Sequence, residues 1–336
     1  MRFLALLILS SASAFAGGDL QKISLADAAS NAVKQSQLTL PGSASFHLKV
    51  MIAETASPDS DYKAEIEEYW LSNQKWRRTI RSPHLAQTLI VNGDKVLEKN
   101  EGDYYPWWLT DLVTAIFNPL PMREQLKQIN TQVMRPGGGE NSSSCARLQS
   151  KEGYLVFCFK SARGLLGSVV TPGYDAEFRE YQAFKDKQVA RRVILNPEPG
   201  STIEAKIVEL NELDSADESL FAIQQPTDPQ NRLTSIRVSE ETARKLLLNT
   251  PDIVWPAVGK NPISGRMALY ISVDKGGHVR EVWPEGSDNS DLEDYTRDQV
   301  RKWQFKPAAA NGVPVQMETV LTFTFQTKLD VSKKKP

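Results

Sequence analysis

"KWQFKPAAANGVPVQMETVLTFTF" spans Lys302–Phe325. A helix-like run stops at Pro307, whose ring has no N–H to give. Asn311-Gly312 is a turn signal. Beyond it Met317, Thr319, Leu321, Phe323 and Phe325 alternate with Glu318, Val320, Thr322 and Thr324, which predicts a long strand. Upstream, "SDLEDYTRDQVRKW" reads as a helix with Ser290 as N-cap and Glu293 three residues on, a capping box, with Asp291 favouring its start. Leu292, Tyr295, Gln299 and Trp303 fall on one face. Before the helix, "RMALYISVDKGGHVREVWP" is a hairpin turning at Asp274–Gly277. A hairpin, a helix and a last strand predict a small α+β unit, an antiparallel sheet packed by a helix, with the last strand an edge open to pairing.

These elements together resemble the TonB C-terminal domain over about residues 236–325. Trp255-Pro256 stands where that family has Tyr-Pro, Gly265 opens the first hairpin strand, and "VRKWQFKP" followed by "NGVPV" leads into the last strand. Departures accompany the match. Gly259 and Pro262 interrupt "AVGKNPIS", where the family has a short first helix. Thr296 and Gln299 stand at positions that are usually alanine, and the family's transmembrane anchor and Pro-rich spacer are not found. The resemblance implies that the last strand pairs with an extended segment of an envelope protein. The residues concerned are Val315, Met317, Thr319, Val320, Leu321, Thr322 and Phe323. The other reading is an edge already covered, by the rest of the chain or by a second copy in a homodimer.

From Ser43 to Ile223 the pattern is repeated period-two alternation, beginning with "FHLKVMI". "AEIEEYWLSNQKWRRTIR" reads as two strands, "TLIVNGDKVLEK" as a hairpin turning at Asn92-Gly93, and "GYLVFCFK", "DAEFREYQAF", "QVARRVIL" and "STIEAKIVELNEL" as further strands. The series is interrupted by "YYPWWLTDLVTAIFNPLPMREQLKQI". Trp107–Phe117 is apolar nearly all round and predicts a buried helix, with a second helix from Pro121 to Ile129. The expectation is a strongly curved antiparallel half-barrel with a helical plug on its concave face. This order resembles the LolA/LolB lipoprotein-carrier fold over about residues 20–225. The resemblance implies a concave side that holds lipid acyl chains or another apolar ligand, lined by Phe46, Leu48, Val50, Ile52, Trp70, Ile80, Trp107, Trp108 and Phe117. Simple core filling is the other reading of the same residues.

"MRFLALLILSSASAFAGG" carries one basic residue, an apolar run and Ala14-Phe15-Ala16, the pattern of a secretory signal cut after Ala16. A periplasmic location follows, an uncleaved inner-membrane anchor being the alternative. Cys145 and Cys158 sit symmetrically about Lys151-Glu152, which predicts a disulfide across one hairpin. The three histidines, His47, His84 and His278, are scattered, and no metal, phosphate or nucleotide motif is present. No catalytic, metal or cofactor site is expected, and a formal net charge of −1 gives no reason to expect nucleic acid. The organisation read is a signal at 1–16, a half-barrel at 20–225, a linker at 226–235, a TonB-like domain at 236–327 and a charged tail at 328–336. The function read is non-enzymatic binding of a partner by strand addition, in envelope or outer-membrane transport, with carriage or sensing of a lipid as the alternative.

Overall fold

The computed structural model describes residues 25–55, 61–120, 143–150, 153–160, 164–170, 175–198, 201–227, 235–249, 253, 255–256 and 263–327. The expected signal, the helix at 121–129, the segment 257–262 and the charged tail lie outside the described residues. The first part contains α1 (Leu25–Ser36), β1 (Phe46–Glu54), β2 (Ala64–Ser72), β3 (Lys75–Ser82), β4 (Leu85–Asn92), β5 (Lys95–Gly102) and α2 (Trp107–Phe117). It continues through β6 (Ser143–Ser150), β7 (Gly153–Lys160), β8 (Leu165–Val170), β9 (Asp175–Phe184), β10 (Lys187–Glu198) and β11 (Ser201–Glu212). These eleven strands form one sheet in the order β5-β4-β3-β2-β1-β11-β10-β9-β8-β7-β6. The sheet is curved and antiparallel and does not close, because β5 and β6 are its two ends.

Alternation decides which face is inside. Phe46, Leu48, Val50 and Ile52 of β1 are buried, while His47, Lys49 and Met51 face outward. Against the inner face lie α2, with Trp108, Leu109, Leu112, Ala115 and Phe117 buried, and α1. The pattern reading did not find α1. Among its described side chains the buried ones are Ala28, Ala29 and Ala32, small residues that bring the helix close to the sheet but give a weak apolar signal. Cys145 and Cys158 are paired across β6 and β7 and form the expected disulfide.

The second part contains β12 (Ser235–Arg237), α3 (Glu240–Leu246), β13 (Leu247–Asn249), β14 (Ser264–Val273) and β15 (Val279–Ser287). It ends with α4 (Glu293–Val300), β16 (Gln304–Phe305), β17 (Ala308–Ala310) and β18 (Val313–Gln326). Its main sheet runs β12-β18-β14-β15, with β12 parallel to β18 and the other pairs antiparallel. Asn311 and Gly312 both have positive φ, 51° and 81°, so the β17–β18 hairpin closes on a two-residue turn of the I′ kind. At Gly277 an added Cβ would lie 2.0 Å from the carbonyl oxygen of Phe305, so only glycine admits that approach. The chain as a whole is α+β, mostly strand.

Two local expectations are corrected. The turn before α4 is capped by Asn289, whose Oδ1 accepts the Asp291 N–H at 3.0 Å, and not by Ser290. The buried face of α4 is Thr296 and Val300, continued by Leu292 and Trp303, so Tyr295 and Gln299 flank it. Thr296 is accommodated because its hydroxyl donates to Leu292 O at 2.7 Å and accepts from Trp255 Nε1 at 3.0 Å.

Leu112 is fully buried between α2 and the sheet. Leu112→Ala is expected to cost about 2–5 kcal/mol, read as a lower urea midpoint at unchanged slope. A loss below about 1 kcal/mol would mean that α2 is not part of this core.

Candidate functional site: the outer edge of the last strand and the seam behind it

The last strand is not a bare edge. β14 pairs with it from Ser264↔Gln326 to Val273↔Met317, and on its other side β12 covers Gln316, Met317 and Glu318. Val315 is paired with Ala308 of β17. Among the described residues no strand covers 319–326 on the β12 side. The direction of the backbone groups follows from the bonds made at two residues. Glu318 O accepts from Val238 N–H, and Thr322 N–H and O are bonded to α3, so residues of this parity turn outward. Val320, Thr322 and Thr324 therefore present the outer edge, while Met317, Thr319, Leu321 and Phe323 turn their backbone to β14. The side chains of Val315, Met317, Thr319, Leu321 and Phe323 are buried. Of the seven edge residues expected from the sequence, only Val320 and Thr322 offer outward backbone groups.

The expected apolar cavity is also placed differently. Among the described residues, Phe46, Leu48, Val50, Ile52, Trp70, Ile80 and Trp108 are packed into the core of the large sheet, and Trp108 also reaches an opening at the seam. Phe117 lines an apolar crevice, of about 40 Å³, with Val33, Leu38, Leu120, Phe178 and Val193. That volume suits a few waters and not an acyl chain. Trp107 is elsewhere, lodged between Tyr270 and Trp283 of the second sheet with its ring tilted to both and ring centroids 5.9 and 5.7 Å away.

Trp107 marks a seam between the two sheets that the sequence did not reveal. Helix α2 starts after Pro106, which provides no side-chain cap. The cap comes from the other sheet. Glu281 of β15 accepts from Trp107 N–H at 3.1 Å and from the hydroxyl of Tyr104. A carboxylate at a helix N-terminus satisfies otherwise orphaned donors and suits the dipole. Beside it the Gln316 side chain pairs with Tyr105 as a strand would, Tyr105 N–H donating to Oε1 at 2.9 Å and Nε2 donating to Tyr105 O at 3.1 Å. Arg280 bridges Asp274 at 2.7 Å and Asp103 at 3.2 Å. Openings of about 270 Å³, walled by Tyr105, Trp107, Gln316 and Glu318, and about 360 Å³, walled by Tyr62, His84, Tyr104 and Glu281, flank these contacts. The sheets are thus joined by a row of specific bonds rather than by a continuous apolar core.

The seam is acidic. Burial pushes Glu281 up to about 7, against the bonds it accepts, and burial with the charges of Glu281 and Glu318 pushes Asp111 up to about 8. Asp111 Oδ2 and Glu281 Oε1 are buried without a partner. Among the described residues no group of three or more His, Cys, Asp or Glu side chains is arranged to hold a metal ion, and no helix is long and apolar enough to cross a membrane.

Residues 256–327 match the family described as the Gram-negative bacterial TonB protein C-terminal. Among solved structures, the chain is similar to a LolA superfamily protein from Nitrosomonas europaea. The TM-score is 0.39 at 9% identity, over 60% of this chain and 98% of that one. It is also similar to a putative outer membrane lipoprotein-sorting protein domain from Vibrio parahaemolyticus, with TM-score 0.37 at 10% identity, over 58% of this chain and 95% of that one. No curated protein matches the chain.

Both seam acids have folded pKa values above the ordinary carboxylate range. Their contribution to stability is therefore complete below about pH 4 and is lost as pH rises through about 7 for Glu281 and about 8 for Asp111. Stability is expected to fall from about pH 4 to about pH 8 by an amount on the order of a few kcal/mol, read as a declining melting temperature. Asp111→Asn and Glu281→Gln, the latter keeping an acceptor for α2, should each flatten the profile. Equal slopes in the parent and both variants would refute the assignment.

Proposed function

We propose that this chain is a binding protein of the Gram-negative cell envelope whose C-terminal sheet takes up an extended segment of a partner protein along the outer edge of β18. The observation that carries this reading is the row of outward backbone groups at Val320, Thr322 and Thr324, next to which no strand lies among the described residues. Such an edge bonds a partner's main chain with little demand on sequence, and alternate side chains add selectivity. The match over 256–327 to the family described as the Gram-negative bacterial TonB protein C-terminal supports it. In this reading residues 20–225 and 236–327 act as two units joined by 226–235, residues 1–16 direct export to the periplasm, and the activity is binding rather than catalysis.

A second reading, carriage of a lipid or other apolar ligand, has one observation in its favour. The crevice at Phe117 lies between α1, α2 and the inner face of the large sheet, and its wall is mostly apolar. A chain-like ligand needs more than about 40 Å³, so this reading requires α2 to move. Native mass spectrometry of protein purified from envelope extracts separates the two, since a carrier retains lipid.

The edge reading is tested with a photo-crosslinking side chain at Thr324 in cells. An adduct with an envelope protein is expected, and Val320→Pro, which removes an outward donor, should reduce it at least tenfold, about 1.4 kcal/mol of binding. An adduct that survives undiminished in a folded Val320→Pro protein would exclude strand addition at this edge.

A further inference from the structure

One stretch of chain, a short strand followed by a helix, lies along the middle of the outer edge of β18. Ser235–Arg237 pairs in parallel with Gln316, Met317 and Glu318, and Val238 N–H donates to Glu318 O at 2.9 Å. The chain then turns into α3 through Ser239, whose Oγ accepts Thr242 N–H at 3.2 Å. From α3, Glu240 Oε1 accepts Thr322 N–H at 3.1 Å, and Arg244 Nη2 donates to Thr322 O at 2.7 Å. The two side chains are also bonded to each other, Arg244 Nε to Glu240 Oε1 at 2.9 Å. Together they present to Thr322 one acceptor and one donor, which is what the backbone of a neighbouring strand would present.

Resting on the edge-binding reading above, we propose that residues 235–246 are an internal strap that occupies the binding edge of β18 in the free protein, with Glu240 and Arg244 imitating a strand at Thr322. A partner then binds by displacing the strap, and the partner is an extended segment with apolar residues at alternate positions.

The strap is built to be displaced. Helix α3 has seven residues, fewer than a helix needs to persist alone, so its packing holds it. That packing is small: Ala243 is its one fully buried side chain, with Ile236, Val238 and Leu246 partly buried against the same core. Glu240 and Arg244 are both partly exposed, and an exposed ion pair holds weakly. The clasp serves only Thr322, whereas an incoming strand reaches Val320, Thr322 and Thr324 together. The strap also covers apolar surface, Arg244 lying over the Phe323 ring at 5.8 Å. A replacement must cover what Ile236, Ala243 and Leu246 cover, which is why alternate apolar residues are required. Short or wholly polar segments do neither, so the strap also sets a threshold for entry.

The test uses the full chain with the photo-crosslinker at Thr324. Arg237→Cys with Glu318→Cys locks the strap, because these two residues are direct partners across β12 and β18. Glu240→Ala with Arg244→Ala opens the clasp. Amide exchange at Thr322 is expected to quicken at least tenfold in the open variant while the β14 amides keep their protection. Adduct yield should rise several-fold in the open variant, fall to background in the locked one, and return when the lock is reduced. The single-cysteine proteins, given the same reductant, control for Cys145–Cys158. Equal adduct yields in parent, open and locked proteins would overturn the strap and leave edge binding standing. No adduct in any of them, the open one included, would overturn both.

Discussion

The rest of the structure hangs on one carboxylate. Helix α2 fills the concave face of the large sheet, and a helix buried there must satisfy its first N–H groups without water. Its own sequence does not do so, because Pro106 has no side chain able to accept a bond. Glu281 does, from a different sheet. The same residue fixes Tyr104, and the helix it caps carries Trp107 into the gap between Tyr270 and Trp283. The plug of one sheet and the docking face of the other are therefore a single arrangement. It is costly, since Glu281 is almost wholly buried and close to Asp111, and desolvation opposes the charge that the helix start favours. A neutral acceptor would cap α2 without that conflict, so the carboxyl makes the seam sensitive to pH where an amide would not.

Much of the fold was legible because it rests on local rules. The alternation in "FHLKVMI" and "METVLTFTF", the Asn311-Gly312 turn and the mirrored cysteines each report a short-range constraint, and each appears in the structure. The reading was weakest where small or polar residues do the packing. α1 buries alanines, and Thr296 holds the centre of the α4 face through hydrogen bonds. The site was less legible than the fold, because it depends on contacts between distant segments. Gln316 and Tyr105 are 211 positions apart, and nothing local marks them as partners. One signal was available: an apolar helix whose preceding residues, Tyr104-Tyr105-Pro106, offer no good cap. Such a helix needs a cap from elsewhere, and Glu281, the lone acid in "HVREVWP", was a candidate in plain view.

The same logic explains why the two functional readings fare differently. The ligand wall from Phe46 to Phe117 is what the carrier resemblance implies, whereas alternation itself shows only which side is inside. Whether that side is empty depends on what fills it, and here α1 and α2 do. The edge reading rests instead on direction. Once two bonds fix the parity of Glu318 and Thr322, the outward groups of Val320 and Thr324 follow from the geometry of a strand, whatever the side chains are.

The strap reconciles a long terminal strand with a protein that does not pair at random. Exposed strand edges are sites of unwanted association, and proteins blunt them with charges or with a covering segment. Here both devices are combined in twelve residues, 235–246, of which three are strand and seven are helix. A permanent cover would have continued β12 along the whole of β18, bonding every outward residue. Instead the strand ends at Arg237, and a helix that reaches the backbone at a single residue takes over. Protection against chance contacts requires only that the edge be occupied; release to a chosen partner requires that the occupant hold on by less than the partner can offer. A cover that is strong over Gln316–Glu318 and slight over Val320–Thr324 meets both conditions, and it places the point of entry at the C-terminal half of β18.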